Sequence, residues 1–177
     1  MDLLVFPVIQ DERNFTAGVD EASGGELTAA FERGEFKGKP CEIWTTQLGE
    51  RWTTKRVAMI GVGLRAELNV ERVRRMAACA GIAARQQHRS RLALHVPTDW
   101  TNEAWIEAIA EGATFANFDN GHYKSRDEGR FFLRTVQVGG ITAPGAAEAL
   151  ERGRRIGEAV NAARVLINEP GNTLTPR

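Results

Sequence analysis

The stretch VAMIGVGLRA places Gly61, Gly63 and Ala66 directly after an apolar run, close to the glycine pattern that cradles a dinucleotide pyrophosphate. That chemistry needs a helix N-terminus at once, so that its free amides meet the phosphates. It also needs an acid about 20 residues further on for the ribose. Here the next helix begins only near Asn69, and no acid lies between Arg72 and Thr98. The glycines read as a turn ending a central strand.

Other reactive residue types are equally scattered. His88 falls at a helix C-terminus, His95 within a strand opposite Leu92, Leu94 and Val96, and His122 in a polar loop. No HExxH, paired CxxC or carboxylate cluster offers metal-ligand spacing. Ser23, Ser90 and Ser125 lack a nucleophile-elbow context. Cys41 and Cys79 sit in apolar-patterned segments and read as core residues rather than activated thiolates. Two cysteines make no disulfide framework, which suits a reducing compartment.

Arginine is dense at Arg72, Arg74, Arg75, Arg85, Arg89 and Arg91, and again at Arg152, Arg154 and Arg155. Such patches can meet nucleic-acid phosphates. With 23 basic and 23 acidic residues the formal net charge is zero, so ion-paired or solvated helix faces are the favoured reading. By residue chemistry alone the segment carries no catalytic, metal-binding or cofactor-binding residue.

Elements that would position such groups alternate along the chain. Strands are expected at 3–9, 41–47, 55–63, 91–97 and 130–140. Pro7 hints that the first is an edge or carries a bulge, while the third is apolar on both faces and so central. Helices are expected at 24–36, at 69–88, at 102–117 with Thr101 as cap, and from Pro144 to Ile167. Val73, Met76, Ala77, Ala80 and Ala84 form the stripe of the second. In the last, Ala146, Ala149, Leu150, Gly153, Ile156, Gly157, Val160, Ala163 and Ile167 form a seam open to close approach by another element. Strands separated by helices imply an α/β fold with a mostly parallel sheet between helices. No stretch approaches the roughly 20 apolar residues of a membrane span, and the N-terminus lacks the basic region of a signal peptide, so a soluble cytoplasmic protein is expected. At the other end, Thr175 and Pro176 announce a helix, as N-cap and first helical residue, that the chain does not contain.

Three stretches together resemble the leucyl aminopeptidase (cytosol aminopeptidase) family, in its N-terminal domain. They are KRVAMIGVG (55–63) with the arginine- and alanine-rich helix after it, EGATFANFDNGHYKS (111–125), and AARVLINEPGNTLTPR (162–177). The third is the most specific. The resemblance implies a macro-domain-like mixed, mostly parallel sheet over 1–142, a connector helix over 143–168, and the first residues of an absent catalytic domain over 169–177. It further implies a non-catalytic accessory and assembly role beside that C-terminal domain, in a hexameric parent. There, two divalent metal ions (zinc or manganese) would activate a water against N-terminal peptide bonds. Peptide substrate would be met only through the missing domain, and no metal or catalytic residue carries over to this segment. Two alternatives stay open. One is a macro-like module binding ADP-ribose or a related nucleotide, with Gly61, Gly63, Gly139 and Gly140 as loops and Asp11 or Asp20 as the adenine acid. The other is a DNA-binding domain using Arg74 and Arg75.

Overall fold

The computed structural model describes residues 1–12, 17–119 and 131–170. His122, Ser125, the loop around them and the Thr175–Pro176 helix start lie outside the described residues. Five strands form one sheet in the order β2-β3-β1-β4-β5. They are β1 (Leu3–Ile9), β2 (Ile43–Gln47), β3 (Arg56–Gly63), β4 (Arg91–His95) and β5 (Thr135–Gly139). All pairings are parallel except that of β2 with β3. This is the mixed, mostly parallel α/β sheet that the alternation of elements implied.

The helices are α1 (Ala17–Ala22), α2 (Glu26–Glu32), α3 (Val70–Gln86), α4 (Glu103–Phe115) and α5 (Ala146–Asn168). α1 and α2 enclose a smaller core on one face, with Leu27, Ala30 and Phe36 against Val8, Val57 and Met59. α3 and α4 enclose the larger core on the other, around Leu3, Val5, Ile60, Leu92 and Leu94. The predicted stripe of α3 is buried throughout. Its three alanines supply no bulk, so the helix lies close to the sheet. β3 is buried from Val57 to Gly63, as its two-sided apolarity required.

Three expectations need correction. β1 is not an edge strand; it lies between β3 and β4. Pro7 is tolerated because β1 pairs with β4 only from Leu3 to Val5, so the proline sits beyond that ladder, and a register irregularity follows at Val8/Ile9. The N-cap of α4 is Asn102 rather than Thr101: its side-chain oxygen accepts from the Ala104 amide at 2.9 Å. Cys41 and Cys79 are not separate core thiols. They are joined by a disulfide, with Cα atoms 5.8 Å apart, and both are half-buried. Their separation of 38 residues conceals the proximity. The chain between α2 and β2 passes over β3, where the Gly63 amide donates to the Gly38 carbonyl and the Cys41 amide to the Gly61 carbonyl, both at 2.9 Å, and this carries Cys41 to the flank of α3.

One polar clamp closes the sheet at its N-terminal edge. The Asp2 carboxylate accepts from the Ser90 and Arg91 amides at 3.1 and 3.0 Å and from the Arg91 guanidinium at 2.8 Å. The Arg91 side chain, helped by those amides and the Ser90 hydroxyl, holds the Asp2 carboxyl at about 2, against 3.8 for a free group. Because the folded value is depressed, the stabilisation is complete above about pH 4 and is lost as pH falls towards 2. Asp2→Asn should therefore cost about 1–2 kcal/mol at pH 7, allowing for solvent screening of exposed Arg91. Urea denaturation from pH 7 to pH 2.5 should show that difference shrinking as the wild-type carboxyl protonates.

Candidate functional site

The carboxyl ends of parallel strands are where α/β folds most often bind ligands. Here the glycines expected to line such a site are occupied by the chain itself. A Cβ at Gly61 would lie 2.0 Å from the Lys39 carbonyl oxygen. Gly63 has φ of +83°, and a Cβ there would lie 2.7 Å from an Arg72 guanidinium nitrogen and 3.0 Å from Pro40. At Gly140 a Cβ would lie 2.0 Å from the Val96 carbonyl oxygen. Gly139 is less crowded, with His95 Nδ1 at 3.3 Å from such a Cβ. At Gly61, Gly63 and Gly140 the missing side chain thus admits backbone or side chains of the same molecule, so these positions do not open a phosphate loop.

The two candidate adenine acids are likewise engaged. Asp11 accepts from the Arg65 amide at 3.2 Å. Asp20 accepts from the Thr28 amide at 3.0 Å and its hydroxyl at 2.5 Å, tying α1 to α2. Between the strand ends, the Arg65 guanidinium bonds to both Glu12 oxygens and lies 3.6 Å from Asp99. That contact with Arg65 holds the Glu12 carboxyl below the usual range.

The basic groups follow the same logic. Arg72 pairs with Glu67 at 2.6 Å, and Arg74 with Glu71 and with buried Glu111 at 2.7 Å. Arg85 donates to the carbonyls of Phe131, Ala116 and Phe118. Arg154 and Arg155 pair with Glu151. Much of the arginine signal is therefore internal pairing, partly with acids three or four residues away on the same helix and partly, as for Arg74 with Glu111, across elements that sequence could not bring together. His95 packs on Phe6 and His88 on Phe131, with ring centroids 5.3 and 5.1 Å apart. Among the described residues no three His, Cys, Asp or Glu side chains are grouped to hold a metal ion.

What remains open is the C-terminal half of α5. The predicted seam divides in two. Its first part, Ala149, Gly153 and Gly157, is buried against α4. A Cβ on Gly153 would lie 2.0 Å from the Glu107 carbonyl oxygen, and one on Gly157 2.6 Å from Thr114 Cβ. Around this contact, Arg152 pairs with Glu107 and Glu103 at 3.0 and 3.1 Å, and the Asn161 amide donates to the Thr114 carbonyl at 2.8 Å. The Arg164 guanidinium stacks over Phe118 at 3.8 Å. The second part, Ile156, Val160, Ala163 and Ile167, continues along the same side of the helix at i, i+4, i+7 and i+11 and is exposed. Exposure is 41% at Ile156 and 38% at Val160, and the last turns are open all round, with 47%, 55% and 80% at Val165, Leu166 and Ile167. Apolar side chains left exposed together at a helix end mark an interaction surface.

The family model for the N-terminal domain of the cytosol aminopeptidase family matches residues 5–127. The chain belongs to this family. Probable cytosol aminopeptidases from Thermosynechococcus vestitus and Solibacter usitatus are 32% and 30% identical to it, each over 99% of this chain. The chain covers 37% and 34% of their lengths, so these relatives are about three times as long. Among solved structures, a tomato leucine aminopeptidase mutant superposes with a TM-score of 0.79 at 18% identity, over 99% of this chain and 37% of that one. The bottromycin maturation enzyme BotP in complex with Mn superposes at 0.71 and 22%, over 99% and 33%. Both likenesses establish the fold, and in both the matched portion is a third or so of the longer chain.

The α4–α5 contact is testable in this cytosol aminopeptidase domain. Gly153→Ala should destabilise by about 2–3 kcal/mol, because its methyl meets backbone that cannot yield. Arg155→Ala, which removes only an exposed pair on the same helix, should cost under about 0.5 kcal/mol. Guanidinium melts of the two variants against wild type provide the check.

Proposed function

We propose that this segment is the non-catalytic accessory and assembly domain of a metal-dependent leucyl aminopeptidase. On this reading residues 1–142 form the N-terminal domain, related in fold to macro domains. Residues 143–168 connect it to a catalytic domain that begins at 169–177, and the parent enzyme works in the cytoplasm as a hexamer. The observation that carries the proposal is the divided seam of α5. Its first turns are locked to α4 by glycine contacts, and its last turns carry apolar side chains that stay exposed. A helix built in this way holds its own domain at one end and offers the other end to more polypeptide.

The parent's chemistry would be removal of N-terminal residues from peptides, with two divalent ions, zinc or manganese, supplying an activated water. The described residues of this segment do not fit that role, since they bring together no set of ligands for an ion. The occupied positions at Gly61, Gly63 and Gly140 and the pairing of Arg74 with Glu71 and Glu111 weigh against the ADP-ribose and DNA readings.

Two measurements test the proposal. The purified 177-residue chain, given zinc or manganese, should leave a leucine anilide unhydrolysed, and metal-dependent turnover would remove the accessory reading. Sedimentation should also show concentration-dependent self-association that weakens several-fold when Ile156, Val160 and Ile167 are changed to serine. A wild-type chain that stays monomeric at high concentration would take away the apolar face as a basis.

A further inference from the structure

We propose that the Cys41–Cys79 bridge is a thiol–disulfide exchange site, opened by a thiol or dithiol reductant, and that its state sets how firmly loop 37–42 and edge strand β2 are held. The bridge lies at the β2 edge of the sheet, and both cysteines are half-buried, so a small thiol can reach the sulfurs. The chain holds only these two cysteines, which leaves no competing internal pairing.

The two ends are anchored very differently. Cys79 rides on α3, whose Val73, Met76, Ala77 and Ala80 are buried in the main core. Cys41 lies in an exposed loop between α2 and β2, at a φ of +61°, a left-handed conformation unfavourable for a residue with a Cβ. Opening the bridge lets Cys41 relax while α3 stays in place. The loop does not escape, because backbone bonds from Gly63 to Gly38, from Cys41 to Gly61 and from Gly61 to Glu42 remain. Those bonds keep the thiols close enough to reclose. Beyond the loop, β2 is half-buried from Ile43 to Thr46 and pairs on one side only, with β3, so it is the element that loosens next.

On the Cys79 side local charge favours the exchange, since Arg75 is exposed one turn before it on α3; in the loop, exposed Lys37 and Lys39 are offset by the Glu42 carboxylate next to Cys41. Cations beside a sulfur favour the thiolate and make it a better leaving group. The incoming thiolate bonds to Cys41 Sγ as the Cys41–Cys79 bond breaks, and Cys79 leaves as a thiolate beside Arg75. The second thiolate of the reductant then attacks the mixed disulfide and releases Cys41. Two electrons pass from the dithiol, which becomes a disulfide, and the cysteine thiolates take up the two protons it gave up.

The test uses the full 177-residue chain with dithiothreitol as the reductant. Thiol titration should find no free cysteine after oxidation, two after reduction, and none again on reoxidation. Hydrogen exchange over 37–47 should speed up about tenfold or more on reduction, with α3, β1 and β4 unchanged. Cys41→Ser should reproduce the reduced exchange pattern and ignore dithiothreitol; if that variant does not fold, the wild-type measurement decides alone. Free thiols under oxidising conditions, or unchanged exchange over 37–47, overturn the proposal. So does loss of protection throughout the chain, because the bridge would then hold the fold rather than the loop.

Discussion

α4 has no side-chain spacer on either flank, and the arrangement of the helical layer depends on that. On one side Gly112 lets the Arg74 carbonyl of α3 approach to where a Cβ would be, at 2.0 Å. On the other side Gly153 does the same for the Glu107 carbonyl. Backbone-to-backbone contact of this kind fixes helix separation more tightly than interdigitated leucines do, because neither partner can change rotamer. The Arg74–Glu111 pair and the Asn161–Thr114 bond then set rotation and register on the two flanks.

Fixing α4 fixes what α5 presents. With Ala149, Gly153 and Gly157 committed to α4, the later residues of the same stripe, Val160 and Ile167, are left exposed. The functional reading rests on that consequence rather than on any reactive group. Elsewhere on the surface several charges are matched across elements. Asp2 with Arg91, Glu12 with Arg65, and Glu111 with Arg74 each join elements distant in sequence. A net-neutral chain arranged in this way has little field left to recruit a polyanion.

The sheet's other edge follows a different economy. Loop 37–42 is laid on β3 through glycines and then covalently tied to α3, so β2 is held by one ladder, one bridge and the packing of Ile43 and Trp44. Core packing dominates the centre of the molecule, whereas this margin relies on few contacts. A single redox-labile bond can matter there without endangering the rest.

Periodicity alone determined much of this protein. The alanine stripe of α3, the two-sided burial of β3 and the length of α5 were legible because each is a local pattern whose burial partner need not be known. Family membership was readable from three short stretches for a similar reason, since it rests on residue order. Tertiary structure decided the remainder. Pro7 suits an inner strand only because β4 stops pairing at Val5, and the cysteines meet only because a loop crosses β3. The α5 seam is covered only where α4 meets it. Each of these depends on which surfaces meet across long stretches of chain, and a one-dimensional pattern carries no record of such meetings.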